Sequence, residues 1–183
     1  GLVALALTAC SAASGVPGSD IVGTFRITAE PLDRQCTLSD MQAQPFEFLA
    51  TLSRNPVSQE AWLTLRGYPR STLYDGQFVD SVASARRTFS DCSACETSLN
   101  ESIALAVFSE SQALAVGSNC PTSALDGGVP AVDDDAGILA PAHRPLAEAA
   151  MVCGEMKTQV TSANLCPRCE GCGVHYRLRG VRQ

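Results

Sequence analysis

The sequence predicts a mostly β protein: a small antiparallel β-barrel or β-sandwich stapled by disulfides. Three observations lead there. Apolar and polar residues alternate with a period of two along several runs, the pattern of strands with one buried face. The runs are short and are punctuated by Pro, Gly, Asn-Pro and Asp-Gly, which turn the chain back on itself. Nine cysteines stand in 183 residues, a density expected of cross-linked exported domains.

The elements follow in chain order. Ile21, Gly23, Phe25, Ile27 and Ala29 alternate with Val22, Thr24, Arg26 and Thr28, which predicts a first strand ended by Pro31 and Asp33. Phe46, Phe48, Ala50 and Leu52 share one face of a second strand, closed by Asn55-Pro56. Ala61, Leu63 and Leu65 do the same up to Gly67. Asp75-Gly76 is a turn, and Gln77 to Phe89 forms the next strand. Glu96 to Ser109 places Ile103, Leu105 and Val107 on one face. It is expected to return through Gln112 to Gly117, giving a hairpin over 98–118. Residues 121–143 are rich in Gly, Pro, Asp and Ala without periodicity, an exposed loop. A short helix is expected from Pro145 to Val152 and a strand from Glu155 to Val160. Val174, Tyr176 and Leu178 mark a closing strand. Seven or eight strands result, with no internal repeat.

Bulk composition narrows the function classes. Hydrophobic residues make up 45% of the chain, enough for a packed core. The net charge is −6, and no basic face is visible, which argues against a nucleic-acid partner. Lys157 is the one lysine among thirteen basic residues, a compositional bias rather than a site.

Residues 2–9, LVALALTA, form an uncharged apolar block. As a helix it spans roughly 12 Å, far short of the roughly 30 Å hydrocarbon core, so it is no transmembrane anchor. It has the length of the apolar part of an export signal, and the sequence starts without the basic segment expected before it. Leu7-Thr8-Ala9-Cys10 resembles the lipobox of bacterial lipoproteins. The resemblance implies a diacylglyceryl group on the Cys10 thiol, cleavage between Ala9 and Cys10, and acylation of the new amino terminus. Each buried methylene contributes about 0.8 kcal/mol, and two or more chains anchor stably where one does not. In Gram-negative members an aspartate after the cysteine retains the protein at the inner membrane; Ser11 therefore implies the outer one. A competing reading makes residues 1–10 a buried element of the domain. The order of apolar run, motif and small polar stretch favours the export signal. The expected organisation is a signal peptide over 1–9, a tether over 10–20 and one β-rich domain over 21–183.

With Cys10 lipidated, eight cysteines remain: Cys36, Cys92, Cys95, Cys120, Cys153, Cys166, Cys169 and Cys172. Export and an even count make four disulfides the economical reading, with connectivity left open. A second chemistry competes. Cys166-Pro-Arg-Cys169-Glu-Gly-Cys172-Gly-Val-His175 carries three thiols and an imidazole, suitable zinc or iron–sulfur ligands. Cys92-Ser-Ala-Cys95 could add a second pair or act as a redox dithiol. Four ligands in ten residues is tighter than most structural zinc sites, and the exported context favours disulfides. Neither Cys-x-x-Cys is followed by histidine, which argues against covalent haem.

Other candidates read as structural. Asp133-Asp134-Asp135 lacks the alternating acids and turn glycine of a calcium loop. His143 lies in the loop, and no nucleophile motif, P-loop or dinucleotide fingerprint is present. Trp62, Tyr68 and Tyr74 fit packing on one sheet better than a binding face. Gly23-Thr24-Phe25 in the first strand, with arginines on the last, resembles the lipocalin-like barrels. That family prefers tryptophan where Phe25 stands and is poor in cysteine; the resemblance implies a barrel able to carry a small apolar ligand. The expected function is a lipid-anchored lipoprotein of the bacterial cell envelope, in a binding or structural role. No catalysis, cofactor or metal is expected, and membrane contact runs through Cys10. The alternative is a metal-binding or thiol-redox protein using Cys92, Cys95, Cys166, Cys169, Cys172 and His175.

Overall fold

The computed structural model describes residues 16–35, 38, 41, 43–55, 57–58, 60–65, 68–73, 77–87, 89–110, 113–114, 120, 149–162 and 166–183. Eight strands form one sheet: β1 (Asp20–Arg34), β2 (Phe46–Arg54), β3 (Glu60–Leu65), β4 (Tyr68–Leu73), β5 (Gln77–Arg87), β6 (Thr97–Ser109), β7 (Ala149–Ser162) and β8 (Gly173–Arg182). Their order is β4-β3-β2-β1-β8-β7-β6-β5, with every pairing antiparallel. The sheet curls into a half-barrel rather than splitting into a sandwich.

This order has a simple origin. Each strand pairs with its sequence neighbours, except that β4 and β5, three residues apart in the chain, stand at opposite edges. The gap is made good by the pairing of β1 with β8. Two four-stranded meanders are thereby joined through the first and last strands. Strand direction alternates, so one rim collects the start of β1, the β2–β3 turn, the end of β6, the start of β7 and the end of β8. We call it the N-terminal rim. The cysteine rim, opposite, collects the segments β1–β2, β5–β6 and β7–β8.

The predicted alternation sets the core. Phe25, Ile27 and Ala29 of β1, Ala50 and Leu52 of β2, and Ala61 and Leu63 of β3 are buried on the concave face. They meet Ile103, Leu105 and Val107 of β6, Val152 and Met156 of β7, and Val174, Tyr176 and Leu178 of β8. Small positions alternate with large ones so that the curled faces interdigitate. Gly180 is opposite both Ile27 and Val152; a Cβ there would run into Val152 Cγ2 and lie 2.8 Å from Ile27 Cγ1. Phe25 and Arg182 are cross-strand partners, and the Arg182 Nη1 donates to the Ala149 carbonyl at 3.1 Å. Arg182 thereby ties β8 to the start of β7 over the end of the core.

Several expectations need correction. The alternation in β1 breaks at a register shift between Ile21 and Gly23, so Val22 is buried and Ile21 points out. Pro31 and Asp33 do not end β1; a second register shift there carries the strand to Arg34. The hairpin over 98–118 does not form, because both edges of β6 are occupied by β5 and β7, and Glu110, Ala113 and Leu114 are helical. Ala149 to Val152 belong to a strand, not a helix: ladder bonds to β6 and β8 override the local preference of an Ala-rich stretch. β4 was missed, and the loop over 121–143 lies outside the described residues.

Two consequences can be measured. A Cβ on Gly154 would run into the Ala104 carbonyl oxygen and lie 2.9 Å from Leu105 Cα. Backbone cannot yield as a side chain does, so Gly154→Ala should lower the unfolding free energy by about 3 kcal/mol in urea titrations. The Tyr176 phenol is raised above its ordinary 10.0 by burial, against the lowering effect of Arg34. The folded state therefore holds the phenolic proton more tightly than the unfolded chain. That contribution is fully present below pH 10.0 and is lost as pH rises through the raised value. Stability should fall with alkaline pH, and Tyr176→Phe should flatten that part of the slope.

Candidate functional site

The cysteine rim is built from two facing turns. Cys92 and Cys95 sit on a 3-10 turn over Ser90–Cys92 and the residues after it, with Cys95 N donating to Cys92 O at 2.9 Å. Across from them, Cys169 N and Glu170 N donate to Cys166 O, and Cys172 N donates to Cys169 O at 3.1 Å. Gly171, at φ 75°, lets this second turn reverse into β8. A Cys-x-x-Cys turn places its two sulfurs about one turn apart, and the two turns lie antiparallel. The sulfurs therefore pair crosswise: Cys92 with Cys169 and Cys95 with Cys166, at Cα separations of 6.3 and 6.2 Å. Phe89, Leu38 and Val160 pack with these sulfurs in a small satellite core.

These bonds close loops of 77 and 71 residues. In the chain-entropy model one such bond is worth about 4 kcal/mol, and the second, closing nearly the same loop, adds less. Cys120 and Cys153, 33 residues apart, form a third bond, which fastens Cys120 to the convex face of β7 among Ala106, Phe108 and Met151. Cys172 is also disulfide-bonded, to a cysteine outside the described residues.

The proposed zinc or redox set is thus brought to one rim, but its chemistry differs from the alternative expectation. Cys92, Cys95, Cys166, Cys169 and Cys172 are all in disulfides, which offer no thiolate to a metal and no dithiol to a substrate. His175 does not turn to the sulfurs. It lies on the convex face of β8 and its Nε2 stands 2.7 Å from Glu155 Oε2 of β7. The Glu155 side chain is 3% exposed and that of His175 27%. Toward a carboxylate, which only accepts, Nε2 is the donor.

Register explains why these groups meet. Across β7, β8 and β1, Lys157 is opposite His175 and His175 opposite Asp33; one row on, Glu155 is opposite Arg177 and Arg177 opposite Glu30. Along the second row the signs alternate, Glu155, Arg177 and Glu30, and such cross-strand pairs stabilise a sheet face. Beside them an open cleft of about 180 Å3 is lined by Asp33, Gln35, Lys157, Gln159, His175 and the backbone of Gly173. A side chain at Gly173 would run into the Thr158 carbonyl oxygen, so the β7 and β8 backbones approach closely at its floor. The one hydroxyl lining the cleft, that of Thr158, is tied to the backbone of Val174 at 3.2 and 3.4 Å. The cleft thus offers a cation, a carboxylate, an imidazole and two amides for recognition.

Sequence reasoning singled out His175 but missed Glu155. Its signal was a lone acid in the run Val152-Cys153-Gly154-Glu155-Met156, in phase with Cys153 and out of phase with the core residues. Trp62 lies on the convex side of β3, since its neighbours Ala61 and Leu63 point into the core. Tyr68 is opposite Leu65 in the β3–β4 ladder. Cys10, Cys36, Tyr74, Asp133, Asp134, Asp135 and His143 lie outside the described residues. No family model, curated protein or solved structure matches the chain.

An expected partner for Cys172 can be tested. The β1–β8 ladder ends with Arg34 opposite Val174, and Gln35 N donates to Gly173 O at 3.1 Å. In the sequence Cys36 follows Gln35 and Cys172 precedes Gly173. Digestion without reduction should release a peptide joining Cys36 to Cys172, with separate Cys92–Cys169 and Cys95–Cys166 links that an enzyme cutting between the paired positions resolves.

Proposed function

We propose that this chain is an exported lipoprotein of the bacterial cell envelope, held to the membrane through lipid on Cys10, whose half-barrel serves as a binding module. One observation carries the export reading: all seven cysteines among the described residues are disulfide-bonded, which calls for an oxidising compartment. Six of them bond to one another, and Cys36 is the expected partner of Cys172. Cys10 is the ninth cysteine, left over by that count and standing in the lipobox Leu7-Thr8-Ala9-Cys10. An odd thiol in an oxidising compartment needs a fate, and thioether lipidation supplies one. Ser11 favours the outer membrane as the destination. The Asp33–Lys157–His175 cleft, rigidly mounted beside the disulfide rim, is the surface best suited to a small polar ligand. Its mixed charges suit a zwitterion better than a simple anion.

The test is the mass of the protein purified from membranes of a bacterial host that exports it. The mature amino terminus should be Cys10, carrying two or three acyl chains. Alkylation should add no label before reduction and label the other eight cysteines after it. Cys10→Ala should abolish the acyl mass. An unmodified Cys10 thiol, or a mature terminus elsewhere, overturns the assignment.

A further inference from the structure

We propose that the N-terminal rim of the half-barrel docks directly onto the lipid bilayer, inserting a set of exposed aliphatic side chains into its interface. This rests on the lipid-anchor reading of Cys10. The three most exposed large apolar residues among those described are Val57 at 94%, Leu114 at 79% and Ile21 at 59%. All three are at the N-terminal rim. Ile21 opens β1, Val57 is in the β2–β3 turn, and Leu114 follows the end of β6, where its neighbour Ala113 packs against Phe108 and Met151. Val181, 43% exposed near the end of β8, and Leu49, 47% exposed, lie in one cross-strand row, both opposite Arg26. Among the described residues the cysteine rim shows the smaller exposures of Leu32 at 39% and Phe46 at 37%.

The turn that presents Val57 is held firmly. The Asn55 side-chain oxygen accepts from Val57 N at 2.8 Å and Ser58 N at 3.2 Å, and Asn55 N donates to Glu60 O at 2.9 Å. Turn tips ordinarily carry polar or small residues. A valine fixed in full exposure at such a tip gains nothing from folding, so its apolar surface is available to another phase. Charge does not compete with this: Arg54 and Arg182 stand at the same rim with Asp20, Glu60 and Glu110, a mixture with no strong sign. The rim therefore fits the interface of a zwitterionic bilayer through apolar insertion, not through attraction to anionic headgroups.

The tether supplies the geometry. Asp20 is ten positions after Cys10. Ten residues of chain reach at most about 35 Å. The turn Val16–Ser19, closed by Ser19 N donating to Val16 O at 3.0 Å, shortens this further. β6 alone, with 13 residues, is about 40 Å long. A lipid on Cys10 thus brings the N-terminal rim to the bilayer and leaves the cysteine rim and its polar cleft facing outward.

Trp62, the sole tryptophan, reports on this arrangement, being opposite Ser53 two residue pairs from the turn that carries Val57. The full-length lipidated protein would be reconstituted on phosphatidylcholine vesicles with and without brominated acyl chains. Flotation reads attachment, and quenching of Trp62 reads docking. Wild-type protein should float and be quenched. Val57→Asp, whose site is too exposed to disturb the core, should still float through its lipid but shift the docked-to-undocked ratio by about tenfold. Leu32→Asp, at the opposite rim, should leave quenching unchanged. Flotation without wild-type quenching would overturn the docking proposal and leave the anchor intact. Failure of the wild type to float would overturn both. Sedimentation of a dimer that Val57→Asp disrupts, without quenching, would place a second copy of the chain on this rim instead.

Discussion

The pairing of β1 with β8 is the constraint on which the rest of this structure depends. Every other strand pair joins neighbours in sequence and could form within a local hairpin or a simple loop. The β1–β8 ladder alone brings the two meanders together, from Phe25 opposite Arg182 to Arg34 opposite Val174. Without it the sheet would be two four-stranded sheets, each exposing half of a core. With it, Phe25, Ile27 and Ala29 face Leu178 and Tyr176 across a continuous concave surface. Its contacts are the most distant in the chain, so their loop-closure entropy is the largest that folding must overcome.

The disulfides offset that cost where hydrogen bonds are fewest. The two crossed bonds link the β5–β6 and β7–β8 segments, which lie beyond the ladders at the cysteine rim. Around them Leu38, Phe89 and Val160 form a core too small to hold those segments alone. The same rim receives the chain as it leaves β1, where Gln35 hydrogen-bonds to Gly173. Covalent closure at one rim and the Arg182 tie at the other hold the curvature of a sheet whose β4 and β5 edges are not paired to each other.

That division of labour gives the two rims different uses. The cysteine rim is rigid, and the polar cleft beside it inherits this rigidity through β7, β8 and the close approach at Gly173. A recognition surface gains affinity when its groups are held in place before the ligand arrives. The N-terminal rim carries the most exposed aliphatic residues among those described and the ends of strands.

The sequence by itself determined most of the strands and most of their buried faces, because period-two alternation is a local property of the pleat. Phe25, Ile27, Ala50, Leu52, Leu63, Leu105 and Leu178 were legible as core residues for that reason. The number of cysteines also pointed to the disulfides that the described residues carry. Tertiary structure decided what the strands pair with. Ala149 to Val152 reads locally as helix and becomes strand because β6 and β8 offer it two ladders, and Ile21 turns outward because a register shift moves its neighbour inward. Tertiary structure also decided which sulfurs bond, since spacing along the chain leaves the crosswise pairing of two antiparallel turns open. The meeting of Glu155 with His175, 20 residues apart, depends on the register of β7 against β8. Register is a relation between strands distant in the chain, and a period of two carries no information about it beyond the choice of face.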